Sequence, residues 1–203
     1  MTFELLILVA GAVLVLDTST SRVVVAYVVV VAIVGHFAAA STLHAPLALA
    51  FFSISFFLKA IVAPIGIWTF ARRNAAARNL RPAVDLPIRL VVVLALAFGS
   101  QYVPHMPGLA PIPMVGTIAY IMLCSFAVLV IHRNLLAQVI GLLVLSAGVT
   151  LAAVMSAPQL PEAVELGATF DALVVTFIGL TLVRAFLTHH PLLDIESLRS
   201  LRG

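Results

Sequence analysis

The chain has 203 residues, of which 63% are hydrophobic and only 9% charged, and its mean hydropathy is +1.22. A water-facing domain carries roughly 25% charged residues, so this composition excludes a soluble surface and makes lipid the main surroundings. The formal charge of +3 does not point to nucleic acid, because the basic residues are spread over connecting loops.

The apolar runs predict an all-α integral membrane protein of about seven transmembrane helices with short loops and no soluble domain. Span one covers about Thr2 to Leu16. It begins apolar and carries Glu4 where a signal peptide would be basic, so it reads as a retained helix. It is short for a crossing, and six spans with this segment lying in the interface is the rival count. Span two covers about Val23 to Ala40, after the turn Asp17-Thr18-Ser19-Thr20. Span three covers about Pro46 to Ala71 and span four about Ile88 to Val103. A loop with Pro104, Pro107, Gly108, Pro111 and Pro113 leads to span five, about Ile112 to Ile131. Span six covers about Leu135 to Ala157, and span seven follows the Pro158 to Pro161 break at about Val164 to Leu187. Residues 1–103 thus hold four spans, 112–187 three, and 188–203 a tail, in one polytopic domain of residues 1–203. In the tail, Pro191 ends the last span. Asp194 can cap a short helix with Ile195, Leu198 and Leu201 along one side, a segment expected to dock on a partner or the membrane surface.

Orientation follows from the arginines. Arg72, Arg73, Arg78 and Arg81 lie between spans three and four, with Arg89 entering span four. If that loop is cytoplasmic, alternation places Arg22, Arg133, Arg184, Arg199 and Arg202 on the same side. Glu4, Glu162, Glu165, His44 and His105 fall on the other. The expectation is an outside N-terminus and a cytoplasmic C-terminus.

Few polar groups lie inside the spans. Lys59 is the only lysine and sits near the middle of span three, roughly 18 Å from either end. A lysine at that depth costs roughly 2.5–3.5 kcal/mol to insert, and snorkelling reaches neither surface. Pro64 follows five residues on and should leave the Ala60 carbonyl without its helical donor, kinking the helix. Lys59 is therefore either a structural cation paired with a buried acid or a titrating group in an ion pathway. Asp171 lies roughly 10 Å inside span seven. It shares a face with Gly167, Ala168 and Val175 that could pack closely on a neighbour. It is either held neutral by a hydrogen bond or part of the same pathway. Glu165 is either a residue at the mouth of that pathway or a solvated helix end. His36, in span two, is either a packed histidine or a proton relay.

Cys124 is the one cysteine and allows no disulfide within the chain. His189-His190 alone is a weak metal signal, and no metal or cofactor is expected in this chain. Gly141, Gly148 and Ala152 give span six a small-residue stripe for helix packing. No phosphate-cradling loop or nucleophile arrangement occurs, which argues against self-contained redox or hydrolytic chemistry.

Three stretches resemble one family: His132-Arg133-Asn134-Leu135-Leu136-Ala137-Gln138-Val139-Ile140-Gly141-Leu142, Pro161-Glu162-Ala163-Val164-Glu165-Leu166-Gly167-Ala168-Thr169-Phe170-Asp171, and Leu193-Asp194-Ile195-Glu196-Ser197-Leu198-Arg199-Ser200-Leu201-Arg202-Gly203. The chain resembles the component E membrane subunit of group 4 [NiFe]-hydrogenases, of the hydrogenase-4 and formate hydrogenlyase type. Its last three spans are similar to the K-type subunit of respiratory complex I and the C-type subunit of Mrp antiporters. Phe52-Ser53-Ile54-Ser55-Phe56-Phe57-Leu58-Lys59-Ala60-Ile61-Val62-Ala63-Pro64 also resembles component E, which has a lysine at the matching place. The resemblance covers most of the chain and is specific from about residue 132 onward.

The resemblance implies a subunit of a bacterial or archaeal cytoplasmic membrane that connects a peripheral hydrogenase-like redox module to antiporter-like and other membrane-arm subunits. Asp171 matches the second of two intramembrane acids in the K-type polar axis. The first has no counterpart, because Leu143 holds the K-type position and Ser146 the place of component E's glutamate. A stand-alone small ion or solute transporter and a purely structural spacer are the alternatives.

Overall fold

The computed structural model describes residues 2–42, 46–73, 77–80, 82–105, 114–156 and 161–189. Among them the secondary structure is helical, with isolated bridge pairs Ser19–Asn79 and Pro82–His132. The helices are α1 (Thr2–Leu16), α2 (Thr20–Thr42), α3 (Pro46–Phe57), α4 (Ala63–Arg73), α5 (Leu86–Tyr102), α6 (Val115–Ile131), α7 (Leu135–Ser156) and α8 (Pro161–His189). A π-helical turn, Leu58–Val62, joins α3 to α4 into one rod. Three stretches are long and apolar enough to cross a membrane: Thr20–Ala39, Leu49–Arg73 and Leu135–Ser156. The apolar stretches Phe3–Leu16, Leu86–Tyr102, Val115–Ile131 and Val174–Ala185 are shorter.

Large apolar side chains cover the outside of the bundle. Val91 and Phe98 on α5, Val130 on α6 and Phe177 on α8 are all exposed. Water would make such a surface unstable, whereas acyl chains match it. The membrane location follows from this inversion together with the composition.

The core centres on α7, which packs against α6, α8 and α2; α3 lies on α8, and α1 touches α2, α5 and α6. Gly141 and Gly148 set the spacing between α7 and α6. A Cβ on Gly148 would lie 3.0 Å from Met122 Cγ and 3.2 Å from Ile121 Cγ2, and one on Gly141 would press on Leu129. Gly148→Leu should overpack this seam and cost about 1–3 kcal/mol. A detergent melting temperature equal to wild type would show the seam to be loose. On α8 nothing among the described residues lies within 4 Å of a Cβ built at Gly167, so the expected close approach is not made by them. The tight glycine of α8 is Gly179, which faces Val139 of α7.

One end of the bundle is knitted by its turns. Thr20 N–H donates to the Arg78 carbonyl (3.1 Å), Leu80 N–H to Thr18 (2.7 Å) and Ala83 N–H to Ile131 (2.6 Å). The Thr20 hydroxyl donates to the Ala77 carbonyl (2.6 Å) and the Asn134 amide to the Asn79 carbonyl (3.4 Å). The α1–α2 turn, the segment after α4 and the α6–α7 turn therefore meet at one level. Arg22, Arg72, Arg73, Arg78, Arg89 and Arg133 flank these turns, as alternation of the helices requires. Arg22 pairs with Asp17 at 3.1 Å, and the Arg72 guanidinium sits 3.7 Å from the centre of the Trp68 ring.

Two basic residues of this end, His132 and Arg89, are buried. Burial pushes the His132 pKa below its ordinary range, bonds to main-chain groups of Val128 and Asp17 oppose the shift, and the charge of Arg89 adds to it. The imidazole is therefore neutral at pH 7. Arg89, in the first turn of α5, is 6% exposed and donates to the carbonyl of Leu16, the last residue of α1.

Arg81, His44, the loop residues Pro107, Gly108, Pro111 and Pro113, the break residues 157–160 and the tail 190–203 lie outside the described residues.

Candidate functional site

Lys59 is placed by the π turn. The Ala63 N–H reaches back to the Leu58 carbonyl, five residues away, so the turn is one residue wider than an α turn. Pro64 carries no N–H and cannot supply the next rung. The expected α-helical rod with an orphaned Ala60 carbonyl is therefore replaced by a π-helical turn ending just before the proline. Such turns re-aim side chains and recur at functional sites. Here Lys59 points into the protein and is only 4% exposed. Its ammonium donates to the Thr150 hydroxyl of α7 at 3.1 Å, and that hydroxyl donates to the Ser146 carbonyl at 2.9 Å.

The neighbourhood is narrow and mostly apolar. A cavity of about 20 Å³ adjoins Lys59, Thr150 and Ser55, walled by Val31, Val34 and Phe56 among others. Leu143 is fully buried, and the Ser146 hydroxyl is buried without a hydrogen-bond partner among the described residues. Leu143, Ser146, Ala147 and Thr150 share one face of α7, spaced by three and four residues. The two positions that the resemblance sets against the family's acids therefore lie on the face that carries the lysine's partner.

Asp171 is half-buried on α8. A Cβ on Gly66 of α4 would lie 3.0 Å from Leu180 of α8, which fixes the level of these parallel rods. Lys59 lies roughly 10 Å before Gly66 and Asp171 roughly 13 Å before Leu180, so the two occupy nearly the same depth on packed helices. The Asp171 carboxylate also acts electrostatically on Tyr27 of α2. Tyr27 is fully buried, and its hydroxyl has no hydrogen-bond partner among the described residues.

The other two candidates stand differently. His36 is exposed and stacks on Phe3 of α1, with ring centroids 5.3 Å apart and planes at 22°. Phe37 meets it edge-on at 5.6 Å. No described hydrogen bond links it to Lys59 or Asp171. Of Glu165 only the helical backbone is described, six residues before Asp171 on α8. Among the described residues no group of three His, Cys, Asp or Glu side chains is arranged to hold a metal. A larger cavity, about 340 Å³, opens at the end away from the knitted turns, lined by Glu4, Gln101 and Tyr120, and touches none of the four candidates.

Sequence reading missed Thr150 and Tyr27 because a hydroxyl inside an apolar span carries no charge to flag it. The repeat of Ser146 and Thr150 at helical spacing was the available signal.

Two comparisons with known proteins match the chain. Residues 113–203 match the family described as NADH-ubiquinone/plastoquinone oxidoreductase chain 4L. The chain is 31% identical over 180 residues to Hydrogenase-4 component E of Escherichia coli (strain K12), covering 84% of this chain and 82% of that protein. The same values hold for Hydrogenase-4 component E of Escherichia coli O157:H7 and of Shigella flexneri. No solved structure matches significantly.

Proposed function

The chain belongs to the hydrogenase-4 component E family, and on that premise we propose that it is a non-catalytic membrane-arm subunit contributing to proton or ion translocation. Membership makes it a membrane subunit of a hydrogenase- or complex I-like assembly. Its neighbours, on this reading, are antiporter-like and other membrane-arm subunits and a peripheral hydrogenase-like redox module. The cofactors reside in that module and none in this chain.

The observation that carries the reading is the buried Lys59. A cation aimed inward by a π turn, level with Asp171 on an adjoining helix, is costly in a protein that only fills space. A lysine and an acid at one depth inside a bilayer are the kind of ionisable pair that marks an ion or proton route. Purification of the tagged protein in mild detergent, followed by mass spectrometry, should recover antiporter-like and hydrogenase-like chains together. Recovery of a lone oligomer would favour the stand-alone transporter.

The family's missing acid favours a second reading. Leu143 and Ser146 leave α7 uncharged where relatives are expected to carry a carboxylate, so the chain could act as a spacer whose charges only fix packing. The substitutions discussed below separate the two.

In the proposed orientation the knitted, arginine-bearing end faces the cytoplasm. The seven rods then cross alternately, with the N-terminus outside. A cysteine introduced by Arg78→Cys should resist an impermeant thiol reagent added to intact cells and react once the membrane is opened. Efficient labelling in intact cells would reverse the orientation.

A further inference from the structure

The buried hydroxyls are distributed with a direction. Tyr27 on α2, Ser146 on α7 and Thr176 on α8 each bury a side-chain oxygen with no hydrogen-bond partner among the described residues. Leaving one such group unsatisfied costs about 1–3 kcal/mol, and inside a bilayer no bulk solvent relieves it. The three lie on helices that pack on one another.

Their depths suggest a common cause. Measured from the level of the knitted turns at 1.5 Å per residue, Tyr27 stands roughly 10 Å along α2 from Thr20. Gly179 faces Val139, which is roughly 6 Å along α7 from Leu135, so Thr176 stands at roughly 10 Å as well. By the same count Ser146 is at roughly 16 Å, Asp171 at roughly 18 Å, and Thr150 and Lys59 at roughly 21–22 Å. All three unsatisfied hydroxyls therefore lie between the arginine-bearing end and the Lys59–Asp171 level. Above Tyr27 and Thr176 the axial steps of about 6 Å are what one or two waters span at about 2.8 Å per hydrogen bond, and the roughly 10 Å from the turns takes about three. At the top, the cavity of about 20 Å³ beside Lys59 and Thr150 exceeds the roughly 10–15 Å³ that one water needs.

We propose that Tyr27, Thr176 and Ser146 line a file of water molecules running from the arginine-bearing end of the bundle to Lys59 and Asp171. Each hydroxyl both donates to and accepts from the file, so the three oxygens are satisfied without a protein partner. The file gives the two intramembrane charges one-sided access to protons. This role in delivery rests on the translocation reading above, whereas the hydration itself does not.

Cysteine accessibility tests it. In an assembled complex carrying Cys124→Ala, Ser146→Cys and Thr176→Cys should react with a small water-soluble ammonium methanethiosulfonate. Val144→Cys, equally buried on α7 but on the Gly141–Gly148 face that packs on α6, is the dry control. Reaction roughly tenfold faster than at Val144, a barrier difference of about 1.4 kcal/mol, supports the file. Rates equal to the control overturn it. Fast labelling supports the file even if the Lys59 and Asp171 variants couple normally, in which case the translocation reading alone fails. Slow labelling overturns it even if those variants lose coupling. Where one of these cysteine variants does not assemble, Tyr27→Cys is labelled in its place, with the same two outcomes.

Discussion

Asp171→Asn should leave complex assembly near normal and lower the coupling of electron transfer to proton movement by roughly tenfold, the effect of about 1.4 kcal/mol on a proton-transfer barrier. The amide keeps the shape and most hydrogen bonds of the carboxylate but cannot exchange a proton. Asp171 is half-buried and level with Lys59 on packed helices, which is why this reading puts the carboxylate on the proton's route. Lys59→Met should act similarly. Methionine fills much of the lysine volume, and the Thr150 hydroxyl keeps its bond to the Ser146 carbonyl. Removing the cation also removes an insertion cost of roughly 2.5–3.5 kcal/mol. The Lys59 variant should therefore assemble at least as well as wild type while coupling falls. Vesicles reconstituted with the whole complex, with proton uptake and redox turnover recorded together, give the measurement. Wild-type coupling in both variants would make the charges structural and the spacer reading correct.

Arg89→Met should cost about 2–4 kcal/mol of stability, the sum of a charged hydrogen bond to a buried carbonyl and a cation placed at a helix C-terminus. Arg89 is 6% exposed and donates to Leu16, where α1 ends and its unpaired carbonyls collect. Methionine fills the space and leaves that carbonyl without the donor. Arg89→Lys should recover only part of the loss, since a lysine keeps the charge without the rigid fork. The expected result is a clear drop in the detergent melting temperature and in membrane yield for Arg89→Met. Exposed Arg133→Met on the same end should change little. Melting of Arg89→Met at the wild-type temperature would show the contact to be incidental.

The two predictions differ in how far the sequence could have led to them. Composition and the spacing of apolar runs were sufficient for a helical membrane protein, because lipid admits a helix wherever about 20 apolar residues follow one another. The boundaries of α2, α5, α7 and α8 fell within a few residues of the expected spans for that reason. The gathering of arginines at one end was legible from alternation alone. Lys59 and Asp171 were legible too, since a charge in an apolar run is conspicuous whatever it touches. What the sequence could not supply was direction around and between helices. Whether Arg89 faces water or α1, whether Gly167 or Gly179 makes the close contact, and whether His36 looks inward all depend on how each rod is rotated in the bundle. The π turn before Pro64 shows the same limit, because a proline removes a donor but its neighbours choose between a kink and a wider turn. An all-round apolar helix carries no polar face to fix its rotation, and only packing against the other helices decides it.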